Sequence, residues 1–135
     1  MRMICYNMSM KPETKLWISL ADDDFKNASL LWENHRYGAT IFFSQQAVEK
    51  ILKAYVIEYH NQVPSKTHRI ERLLEEAKLE FDFTPVVDIA ELSKAYIRVR
   101  YPDLNTSYYR KREKVEPLFL VAKKVYLWVK NKFTK

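Results

Sequence analysis

Gly38 is the only glycine in this chain of 135 residues. Tight β-hairpin turns lean on glycine for positive φ, and phosphate-cradling loops need several glycines in a short span. A one-glycine chain therefore argues against an all-β fold, a P-loop and a dinucleotide-binding fold. It argues for helices joined by short connections, and the fold class expected is all-α.

The length suits one domain, and a chain of this size buries roughly two-thirds of its unfolded surface without help from metals or disulfides. Hydrophobic residues at 47% and charged residues at 30% exclude wholesale disorder. Cys5 stands alone, so no intrachain disulfide can form, which fits a reducing compartment. No apolar run reaches the roughly 18 residues of a membrane span, so no membrane partner is expected. The opening "MRMICYNMSM" lacks the apolar stretch and cleavage site of a secretion signal. Its four methionines offer later starts at Met8 or Met10. The expectation is a cytoplasmic protein with a flexible segment over 1–13 and a helical bundle over 14–135.

Apolar spacing predicts five helices. The first spans Thr14 to Asn34, with Trp17, Leu20, Ala21, Ala28, Leu31 and Trp32 as its stripe. The second spans Tyr37 to His60, with Ile41, Val48, Ile51, Leu52, Tyr55 and Tyr59. Pro64 interrupts, and Thr67 is the expected N-cap of a third helix through Leu79. Thr84 and Pro85 read as cap and first position of a fourth helix ending near Val99. The fifth runs from Glu113 to Lys132. Pro117 fits a first turn there, which moves the expected start toward Glu116. Leu120, Val121, Leu127 and Trp128 lie off its main stripe, so this helix reads as buried on two sides, with a subunit interface on one.

Charge is uneven. Residues 1–93 carry 11 basic and 14 acidic side chains, whereas residues 94–135 carry 12 and 3. Such asymmetry points to a polyanionic partner. Three constellations follow. In "SQQAVEKILKAY", Gln46, Lys50 and Lys53 share one helical line and Gln45 and Glu49 another, which spacing reads as a solvated face. Asp24, within "DDD", falls on a core-facing stripe and needs a cation there: Arg98, Arg100 or Lys50. "YIRVRYPDLNTSYYRKR" interleaves arginines with tyrosines, the pairing that grips phosphate and stacks on bases. Its candidates are Arg98, Arg100, Tyr101, Asp103, Tyr108, Tyr109 and Arg110. His35, His60 and His68 lack metal-ligand spacing, so no metal and no cofactor are expected. His68 reads as a capping or surface residue.

The set "A..DF..A" (Ala21, Asp24, Phe25, Ala28), "QQAVEKILKAY", "PSKTH" and "RYPD" resembles the HEPN family of helical domains, in order over nearly all of residues 14–132. The resemblance implies an up-and-down bundle of four to five helices, usually a homodimer, similar to the C-terminal domain of kanamycin nucleotidyltransferase. It also implies a separate small nucleotidyltransferase as partner, in a two-component or toxin–antitoxin pair. Some members are metal-independent ribonucleases carrying an arginine and a histidine four to six residues apart. Here those positions hold Asp103, Leu104 and Asn105 after Arg98, and Asn105, Thr106 and Ser107 after Arg100. The expectation is a non-catalytic domain that binds a nucleotide or an RNA phosphate, with no catalytic residues. The alternatives are a ribonuclease using another acid or base, and a protein-interaction module with a basic loop. The resemblance promotes Asp24, Gln46, Lys50 and Lys53 to candidate walls of a ligand groove.

Overall fold

The computed structural model describes residues 9–85, 87–100 and 109–133. It is an up-and-down bundle of five helices: α1 (Pro12–Glu33), α2 (Tyr37–His60), α3 (Ile70–Ala77), α4 (Ile89–Arg98) and α5 (Arg112–Lys130), closed by a 3-10 turn at Asn131–Phe133. No strand occurs among the described residues, and no helix is long and apolar enough to cross a membrane.

The chain enters α1 at Pro12, whose fixed φ suits a first helical position. Met10 is already buried, and Lys11 donates from its backbone to Glu58 Oε1 at 3.1 Å. Order therefore begins before Thr14, because these contacts tie the entry to the end of α2. Three residues connect α1 to α2, which makes the two antiparallel. α2 is the axis of the bundle and touches all four other helices. Ile41, Val48, Ile51 and Leu52 on α2 pack with Ile18, Ile70, Leu73, Leu92 and Val125 in one core. Leu20 and Tyr59 were expected on inward stripes but are exposed.

Three expected helix starts move, each for a local reason. α3 begins at Ile70, not after a Thr67 cap. Thr67 Oγ1 instead accepts from Arg69 N, and Ser93 Oγ from α4 accepts the Ile70 N–H at 2.8 Å. α4 begins at Ile89 because Asp88 caps it, accepting from Ala90 N at 3.0 Å. Thr84 and Pro85 belong to a connection that lays Phe81 and Phe83 against Trp128. α5 begins at Arg112, so Pro117 lies inside the helix. The hydrogen bond it omits would have ended on the carbonyl of exposed Glu113, within reach of water.

Candidate functional site

Spacing assigned the polar residues of α2 to solvent, and the structure corrects this. Gln45, Glu49 and Lys53 are buried, while Gln46 and Lys50 are half-buried. Periodicity tells which residues share a line. It cannot tell that a central helix is covered along every line, here by α1 on one side and by α3 and α4 on the other.

Burial forces these side chains to satisfy one another. Glu49 Oε1 accepts from Gln45 Nε2 at 3.2 Å and lies 2.8 Å from His68 Nδ1. Glu49 Oε2 accepts from Lys53 Nζ at 3.1 Å. Gln45 Nε2 also donates to the His68 carbonyl, and Gln46 Nε2 donates to Gln45 Oε1 at 2.6 Å. The Lys53 ammonium sits over the Trp17 ring. Carboxylate and ammonium cancel in charge, which is how a buried pair is tolerated. His68 is the outer end of this network, not a helix cap. Its ring stacks on Tyr96 with centroids 3.5 Å apart.

Asp24 is buried as its stripe required, and the cation beside it is Lys50. Lys50 Nζ lies 2.7 Å from Asp24 Oδ2 but off the line of a hydrogen bond, so the contact is ionic in character. Its neighbour Asp22 serves the other side of α1. There it accepts from the Tyr126 hydroxyl and from Lys130 Nζ, binding α1 to α5.

The arginines behave differently. Among the described residues Arg69, Arg72, Arg98 and Arg112 each pair with a carboxylate. Arg36, Arg100 and Arg110 pair with no described carboxylate. These three gather at one end of the bundle. Arg36 and Arg110 line a cavity of about 440 Å³ with His35, Tyr37, Gly38, Ala39, Val99 and Tyr109. Arg100 directly follows Val99. Its guanidinium lies 4.5 Å from the Tyr96 ring centre and 5.8 Å from that of Phe42. The Tyr109 hydroxyl beside Arg98, with Glu91 beyond it, pushes the Arg98 guanidinium still further above its usual pKa.

Of the expected site residues, the structure brings Arg98, Arg100, Tyr109 and Arg110 together at this end. It places Asp24 with Lys50, and Gln46 and Lys53 with the Glu49 network, further along α2. Tyr101, Asp103 and Tyr108 lie outside the described residues. His35, Arg36 and Tyr37 were missed as site residues. They form the α1–α2 corner, which no helical stripe signals; an arginine and a tyrosine beside the lone glycine were the available cue. Such a cavity can take an anionic group between Arg36 and Arg110 with a ring against Tyr37. No group of three or more potential ligands among the described residues could hold a metal ion.

A family model described as HEPN domain matches residues 14–132. The crystal structure of TT1696 from Thermus thermophilus is similar in fold. It shares 25% identity and a TM-score of 0.69, over 90% of this chain and 99% of that one. No curated protein matches the chain.

Proposed function

The chain belongs to the HEPN domain family, and on that premise we propose that it is a non-catalytic member that binds a nucleotide or an RNA phosphate at the arginine end of the bundle. One observation carries this reading: Arg36 and Arg110, neither paired with a described carboxylate, line the cavity, and Arg100, likewise without one, stands just past its Val99 wall. Cations gathered with no described carboxylate beside them repel one another, and a polyanion relieves that repulsion. The Asp24–Lys50 and Glu49–Lys53 pairs neutralise each other, so their role is to brace the wall formed by α2. We propose further that the protein acts as a homodimer beside a separate small nucleotidyltransferase. The resemblance to the HEPN family read from the sequence motivates this.

The missing Arg–His spacing supports the non-catalytic reading, because a general base for attack by a ribose 2′-hydroxyl is lacking at that place. Purified protein should leave RNA intact. Metal-independent cleavage that disappears in Arg100→Ala would favour the ribonuclease alternative.

Binding is tested by titrating ATP and a short RNA into wild type, Arg36→Ala, Arg110→Ala and Lys50→Ala. A hydrogen bond to a charged group is worth about 1.5–3 kcal/mol, so each arginine variant should bind roughly 10- to 150-fold more weakly. Lys50→Ala should bind nearly as wild type does, since Lys50 is occupied by Asp24. Affinity should fall as salt rises. If wild type binds neither ligand at low salt, a protein-interaction module is the better account.

A further inference from the structure

We infer that the arginine end is the start of a longer track, which follows the seam between α2 and α4 to His68 and fits a single strand of RNA better than a free nucleotide. This rests on the reading above that this end takes phosphate. The cavity uses the first turn of α2, through Ala39, and Val99 just past α4. One turn further along each helix the surface does not become ordinary. Phe42 stacks on Tyr96 with centroids 6.3 Å apart, and Arg100 lies over both rings while donating from Nη1 to the Tyr96 hydroxyl at 2.6 Å. Beyond Tyr96 comes His68, stacked on that tyrosine with the two rings inclined by only 14°. Past the cavity's arginines, the seam thus carries one continuous set of rings, Phe42, Tyr96 and His68, with the Arg100 cation over the first two.

Length decides between the ligands. Ala39 and Glu49, which mark the ends of the track on α2, are ten residues apart, or about 15 Å at the helical rise. A mononucleotide sitting in the cavity leaves that stretch uncovered. A single strand brings a phosphate and an unpaired base at every step, which is what a row of guanidinium and ring groups can hold. His68 is built to end such a row. Its side chain is 45% exposed, although its Nδ1 is fixed by a Glu49 carboxylate that is 4% exposed. A histidine held rigid from behind and open in front presents a stacking surface at little further cost in side-chain entropy. Glu49 is accordingly a positioning residue, since it acts through His68.

The test compares uridine monophosphate with a labelled uridine hexamer, by fluorescence anisotropy at low salt. Wild type should bind the hexamer more tightly. His68→Ala should weaken the hexamer roughly 5- to 150-fold, the range for loss of one base stack. It should leave the monophosphate where it was. His68→Phe keeps a flat ring but gives up the bond to Glu49, so it should restore part of the hexamer affinity, which a loss of local folding would not allow. Should His68→Ala fail to fold, exposed Arg100→Ala carries the test and should cost more on the hexamer than on the monophosphate. A hexamer that binds no more tightly than the monophosphate, or variants that weaken both ligands equally, would overturn the track while leaving the cavity reading intact. A wild type that binds neither ligand overturns both.

Discussion

His35, Asn61 and Lys78 hold φ of 60°, 52° and 54°, the left-handed conformation in which a helix usually hands over to glycine. With glycine confined to Gly38, the chain ends α1, α2 and α3 on residues for which this conformation is costly. Asn61 bears it best, because asparagine visits the left-handed region more readily than most side chains. Lys78 bears it worst. It closes α3, where Leu79 N donates back to the Leu74 carbonyl, and its own side chain is exposed. Left-handed geometry costs a non-glycine residue roughly 1–2 kcal/mol, and part of any gain from glycine is returned through the looser unfolded chain. Lys78→Gly should therefore stabilise the fold by about 0.5–1 kcal/mol and raise Tm by roughly 2–5 °C. A thermal melt followed by circular dichroism checks this. An unchanged or lower Tm would mean that the Lys78 side chain contributes more than its backbone strain costs. The same scarcity of glycine made the helical class legible. It said nothing about which residues would replace glycine at the helix ends, since that choice depends on how each corner packs.

α2 shows where reading by periodicity stops. Its length, both of its ends and its apolar line from Ile41 to Tyr55 were legible, because a long pattern averages over local accidents. The state of its polar line was not. A 3.6-residue period assigns an angle to each residue, but Gln45, Glu49 and Lys53 are buried because α1, α3 and α4 close over an angle that amphipathic surface helices leave wet. Asp24 was legible for the converse reason. A carboxylate on an inward stripe has to find a cation, and Lys50 was among those named. The shorter α3 and α4 were placed less well, since capping there comes from Ser93 across the interface and from Asp88, not from the threonines that stand nearer the expected starts. Buried charge also makes α2 asymmetric in its response to substitution. Glu49→Ala leaves the Lys53 ammonium buried without its carboxylate, which should cost about 3–5 kcal/mol in urea unfolding. The double change Glu49→Leu with Lys53→Met removes both charges and should cost markedly less than the two single changes added together. Additive costs would show that the pair is not coupled and that solvent reaches it.

At the scale of the whole molecule the apolar surface is unevenly spread, as the charge is. The second apolar side expected on α5 is narrower than its sequence suggested. Val121 is buried within the bundle and Trp128 packs on Phe81 and Phe83, so two of the four off-stripe residues belong to this chain's own core. Leu120 and Leu127 remain, 53% and 40% exposed, one heptad apart on the outside of α5. α1 adds Leu16, Leu20 and Leu30 on its outer side. The two helices are neighbours, joined by Asp22 with Lys130, by Phe25 stacked on Tyr126 and by Trp32 on Phe119. Exposed leucines on adjacent helices are the pattern expected of a partner surface more than of a solvated one. The exposed charges on both helices are of mixed sign, with Lys15, Asp23 and Lys26 on α1 and Glu113, Lys123 and Lys124 on α5. Two-fold symmetry would set each α1 against the other copy's α5, leucines against leucines. Light scattering at micromolar concentration should then give twice the chain mass of 16.2 kDa. Leu120→Glu with Leu127→Glu should return the mass to that of one chain without lowering helicity, because neither side chain supports the core of its own bundle. A wild-type mass of one chain at that concentration would sink the dimer. A dimer that survives both substitutions would move its interface away from this face of α5.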